Sequence, residues 1–195
     1  KFIPTYIEEG RIDRVKGLLI WSCKKVLLYS FLFFIFLQFS SSFLANHFFM
    51  KSEIGGVLRI LSYSLICTNF VVLFSSWGIA LNNLKIENFY ELIFQPLIFF
   101  LFICCYGFYV NFNFKLEATA ILYCVSWFIT LGIILFKEFI PLIKTLNLNK
   151  VYAKYESKEW VSFSWPVLSY DVLNKTSLHI GIIIAGVLLS ASALG

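Results

Sequence analysis

The sequence predicts an all-α, polytopic transmembrane helix bundle. Three observations carry that expectation. Apolar residues make up 59% of the 195 residues, only 14% are charged, and the apolar residues gather in five long runs. A soluble domain averages about a quarter charged residues, and a core of this size could not hide 23 phenylalanines. Lipid can, because a hydrocarbon layer about 30 Å thick takes about 20 apolar residues per helix. A membrane barrel would need alternating segments of about ten residues. These runs are longer and continuous, and at such lengths helices satisfy their own backbone in lipid.

The elements follow in order. Residues 1–25 are mixed and charged, punctuated by Gly10 and Gly17. The first span is Val26 to Ala45, broken only by Gln38 and the serines. A connection to Arg59 follows, with Gly55-Gly56 as its turn signal. The second span runs from Leu58 to about Leu84, the third from Tyr90 to Val110, the fourth from Leu116 to Phe136 and the fifth from Val161 to Leu189. Polar loops at 82–88 and 111–115 separate them, and 137–160 is the longest polar stretch. The chain begins at Lys1 without a signal-peptide pattern and stops at Gly195 after an apolar run, so it is expected to be a fragment of a longer protein.

The formal net charge of +5 would suggest nucleic acid in a soluble protein. Here the basic residues lie between spans, so topology explains them and no nucleic-acid partner is expected. Lys1, Arg11, Arg14, Lys16, Lys24 and Lys25 lead; Lys137, Lys144, Lys150, Lys154 and Lys158 fill the long loop. The positive-inside rule places both stretches, and the weak Lys85 loop, in the cytoplasm, with the Lys51 and Lys115 connections outside. Cys23, Cys67, Cys104, Cys105 and Cys124 form no CxxC pair and read as small buried apolar residues.

The residues that could carry function concentrate in the fifth span. Asp171, Lys175 and His179 are spaced i, i+4, i+8, with Asn174 beside them, so a helix puts them on one face. Lys175 lies roughly 15 Å beyond Trp165, at mid-bilayer depth, where an unpaired lysine costs about 2.5 kcal/mol or more. One reading is a polar wall of a substrate cavity, with Lys175 attracting an anion and Asp171 or His179 exchanging a proton. The other is a buried ion pair that fixes helix packing. Gln95-Pro96 sits inside the third span, where proline removes a donor and predicts a kink, either a hinge or a static bend. His47 is an interfacial residue at a span end, no metal site is expected, and the Asn174-Lys-Thr sequon inside a span is discounted. Gly181 and Ala185 suit close helix packing. Soluble-enzyme motifs such as GxGxxG, GxSxG and HExxH are absent, and the chain is not expected to be an enzyme.

The leading segment, with Phe2-Ile3-Pro4, Tyr6, Gly10 and Arg14-Val15-Lys16-Gly17, resembles the cytoplasmic approach to the third helix of polysaccharide flippases. These belong to the multidrug/oligosaccharidyl-lipid/polysaccharide exporter superfamily. Leu58-Arg59-Ile60-Leu61-Ser62 resembles the start of that family's fourth helix, and Glu91 to Pro96 is similar to its fifth. Phe163-Ser164-Trp165-Pro166 and the Gly186 to Gly195 ending resemble its seventh. Two departures stand out: Gly181 where the family often has an acidic residue, and Arg11 where it often has aspartate.

The resemblance implies two pseudo-symmetric bundles of about twelve to fourteen helices in all around a central cavity. Residues 1–136 would end the first bundle, 137–160 would link the bundles in the cytoplasm, and 161–195 would open the second. It further implies a monomeric flippase of the cell (inner, cytoplasmic) membrane. That flippase would move lipid-linked oligosaccharide between leaflets for cell-surface polysaccharide biosynthesis, by alternating access, with no cofactor beyond a coupling proton or sodium ion. Rival expectations are a drug or metabolite exporter of the same superfamily, a membrane-embedded glycosyl- or acyltransferase, and a structural membrane subunit.

Overall fold

The computed structural model describes residues 2–81, 89–110, 115–166 and 169–170. The described residues fold entirely into helices and connections, with no strand among them. A short helix α1 (Phe2–Glu8) turns at Gly10, whose φ of +67° places it in the left-handed region that favours glycine. Four long helices follow: α2 (Ile12–His47), α3 (Ile54–Ala80), α4 (Phe89–Tyr109) and α5 (Leu116–Thr145). Each is long and apolar enough to cross a membrane. A 3₁₀ turn (Leu148–Lys150) and an extended stretch then lead to helix α6, residues 157–166. The fifth expected span lies mostly outside the described residues.

Packing across the bundle departs from chain order. Helix α3 lies between α2 and α5, and α4 packs on α5. The buried face of α3 holds Gly55, Ser62, Ser64, Cys67, Val71, Phe74, Ser75, Trp77 and Gly78, and from Ser64 through Cys67, Val71, Phe74 or Ser75 to Gly78 the steps are of three or four residues. Small residues dominate it, which suits association in lipid, where no hydrophobic force separates helix from solvent. Helix α5 answers with Ala120, Cys124, Trp127, Thr130 and Ile134. The backbones come close enough for the Cys124 thiol to donate to the Ile60 carbonyl at 3.1 Å. The outer faces are apolar too: Phe39, Phe100 and Phe128 are exposed, as lipid-facing side chains must be.

Several local expectations change. Gly55-Gly56 is not the turn between the first two spans. Both residues sit in the first helical turn of α3, and a Cβ on Gly55 would lie 3.4 Å from that of Ala45. The reversal is made by residues 48–53, with Met50 at φ +51°. Gly17 likewise does not interrupt structure, because α2 runs unbroken from Ile12, well before the apolar run. At 36 residues α2 is about 54 Å long, so its charged first turns stand beyond the hydrocarbon layer. Helix α5 similarly continues past Phe136 to Thr145. Cys67 and Cys124 are buried as expected, but Cys105 is exposed on the outer face of α4; the free thiol's small size and polarisability suit it to lipid contact equally well.

Candidate functional site

Of the residues expected to line a cavity, Asp171, Asn174, Lys175 and His179 lie outside the described residues, as does Gly181. Gln95 and Pro96 are described, and their surroundings form the best-defined candidate site. Proline at 96 can supply no backbone donor and its ring opposes the carbonyl of residue 92. The chain is wide here: Phe89–Phe94 is a π-helical segment, and regular α-helix begins at Gln95. Helix α5 repeats the device. Leu135–Phe139 is π-helical, and Pro141 follows in the resumed α-helix. The two widened turns meet, the Tyr90 hydroxyl donating to Glu138 Oε1 at 3.1 Å.

Gln95 is buried, and its Nε2 donates to Ser126 Oγ at 2.9 Å. Ser126 in turn donates to the Tyr123 carbonyl at 2.7 Å, and Thr130 donates to the Ser126 carbonyl at 2.8 Å. This polar ladder ties α4 to α5 directly after the widened turn. The widened turn of α5 lines a cavity of about 360 Å³. Its wall is aromatic at Phe74, Trp77 and Phe139, with Lys137, Glu138 and Thr145 as polar groups. Phe139 stacks on Phe74 and Trp77 at 4.9 and 5.4 Å between centroids, so movement of the widened turn of α5 would reshape the cavity.

At the same end of the bundle, residues 151–160 form a strap across the first turns of α1 and α2. Glu156 is its anchor. One carboxylate oxygen pairs with Arg14 at 2.7 Å, and the other accepts from the Tyr6 hydroxyl at 2.8 Å. Trp160 Nε1 donates to that hydroxyl at 3.1 Å, and the Trp160 ring meets Trp21 edge-on. Lys16 donates to the Val151 carbonyl at 2.8 Å, and the Lys154 amide donates to the Asp13 carbonyl at 3.0 Å. No sequence signal announces this anchor, since its partners lie about 150 residues apart.

Burial first pushes the Tyr6 hydroxyl above its ordinary pKa; the Trp160 N–H pulls the other way, and Glu156, by its hydrogen bond and its charge, adds to the rise. A group whose folded pKa is raised stabilises the fold fully below its unfolded pKa, about 10 for tyrosine, and that stability is lost as pH climbs through the folded value. Ionised Tyr6 could no longer donate to Glu156 and would set a second negative charge beside it. Strap docking is therefore expected to hold up to about pH 10 and to fail above it. Tryptophan fluorescence, referenced to Trp160→Phe, reads the change. Tyr6→Phe should weaken docking by about 1 kcal/mol at neutral pH and remove most of the alkaline transition. An unchanged alkaline transition in that variant would assign it to another group.

Among the described residues no cluster of three or more metal-ligating side chains occurs. Comparison with family models, curated proteins and solved structures returns no match for this chain.

Proposed function

We propose that this chain forms part of a membrane transporter that moves lipid-linked oligosaccharide from one leaflet to the other by alternating access. The observation that carries the reading is the pair of proline-backed widened turns, in contact through Tyr90 and Glu138, with the turn of α5 lining a cavity. Irregular turns of this kind mark places where membrane helices bend, and two that touch can bend together. Transporters of the resembled family work by rocking two bundles, which needs such compliant points at the bundle ends. The strap end would face the cytoplasm of a cell membrane, as the basic residues suggest. A proton or sodium gradient would drive the cycle, and the chain would do no covalent chemistry.

In this reading Lys175 holds the phosphate of the cargo, Asn174 lies on the same polar wall, and Asp171 or His179 exchanges a proton. The resembled transporters are longer than this chain, so the test uses the complete reading frame in liposomes carrying a fluorescent lipid-linked oligosaccharide. Leaflet exchange should depend on the protein and fall about tenfold or more in Lys175→Ala. Exchange that persists in the variant removes Lys175 from the substrate path. Absence of exchange with the intact protein rejects the flippase reading in favour of a drug exporter, a membrane-embedded transferase or a structural subunit.

A further inference from the structure

At the opposite end of the bundle from the strap, Arg59 of α3 reaches across to α2. Its Nε donates to Ser41 Oγ at 2.8 Å and its Nη2 to Ser42 Oγ. Gln38 braces the same place, donating to the Arg59 carbonyl at 3.1 Å and to Ser62 Oγ at 2.7 Å. The guanidinium is thus aimed by neutral hydroxyls. Among the described residues no carboxylate pairs with it, its Nη1 group has no partner, and the residue is exposed. Glu117 of α5 lies with its carboxylate against Gly56, about one turn closer to the start of α3.

The depth of Arg59 indicates what it meets. The stretch Ile60 to Ala80 holds no Asp, Glu, Lys or Arg and is about 30 Å long, the thickness of the hydrocarbon layer. Arg59 stands at the end of that stretch, level with headgroups. Along α2, Ser42 lies about one turn and a half short of His47, a difference that the long arginine stem covers by snorkelling. The neighbouring surface is lipid-facing rather than aqueous, since Phe39 is 84% exposed and Phe43 more than half exposed. A fixed, planar cation with free donors at this depth matches the phosphate of a lipid headgroup, which accepts the fork of N–H groups side by side.

We propose that Arg59, oriented by Ser41 and Ser42, is a binding site for the phosphate of a membrane phospholipid. The proposal does not rest on the transport reading. Its test is phospholipid binding by the purified chain, with phosphatidylglycerol added stepwise after delipidation and retained lipid counted by native mass spectrometry. Arg59→Gln should weaken retention about tenfold or more, and Arg59→Lys, which keeps charge but loses the fork, should fall between. Glu117→Gln should retain lipid like the parent. Helix content by circular dichroism checks each variant, and Arg59→Lys carries the test if Arg59→Gln does not fold. Equal retention in parent and both Arg59 variants overturns the proposal. So does displacement of the lipid by millimolar inorganic phosphate, which would make this a site for free anion.

Discussion

Gly17→Ala is expected to release the strap while leaving α2 intact. A Cβ at this position would overlap the Lys154 carbonyl oxygen and lie 2.7 Å from its carbon. Both atoms are backbone, tied to α2 by the Lys154 amide and to α1 and α2 by Glu156, so no flexible side chain can yield. Overpacking of this kind costs about 1–3 kcal/mol and more where backbone must move. Against it stands helix propensity: alanine inside a helix is favoured over glycine by about 1 kcal/mol. The two effects act on different parts of the molecule. The helix gains and the strap loses, so global melting should stay level or rise while trypsin cleavage at Lys150 and Lys154 speeds up about tenfold. Unchanged cleavage would mean that the strap can shift sideways without undocking.

The four spans were legible because a bilayer imposes one simple demand on composition and length, and Val26 to Phe136 meets it without ambiguity. Glycines were not legible in the same way. Gly17 and Gly55 look like punctuation in a string, yet each sits inside a helix where another segment passes too close for a side chain. That information resides in contacts between distant residues, as does the Tyr6–Glu156–Trp160 anchor. In the sequence Arg59 marks the end of a connection and belongs to the Leu58–Ser62 stretch, with no role of its own; its meaning comes from Ser41 and Ser42 on the neighbouring helix. That Pro96 disturbs regular helical hydrogen bonding was legible because its chemistry is local, and a π-helical segment precedes it. Its pairing with Pro141 was not, since Pro141 lies beyond the apolar run, and nothing in the sequence says that α5 continues through it.

That pairing gives the second large expectation. Replacing both Pro96 and Pro141 with alanine should cut transport by the complete protein about tenfold or more while melting temperature holds or rises. Alanine restores the missing N–H groups and removes the ring clash, so each widened turn can relax to regular α-helix. Losing the extra residue of a π turn rotates what lies beyond it by about 100°. Tyr90 and Glu138 would then leave one another, and Phe139 would leave its stack on Phe74 and Trp77. Backbone hydrogen bonding improves in both helices, which is why stability should not suffer. The single variants should each lose less than the double, because either widened turn alone still leaves one compliant point in the touching pair. If the double variant transports at the parent rate, the turns are static bends and alternating access does not pass through them. If instead it melts earlier and fails to fold, the prolines are needed for packing. The Gln95–Ser126 bond, which ties α4 to α5 directly after the widened turn, would then be the feature to test next, with Gln95→Leu.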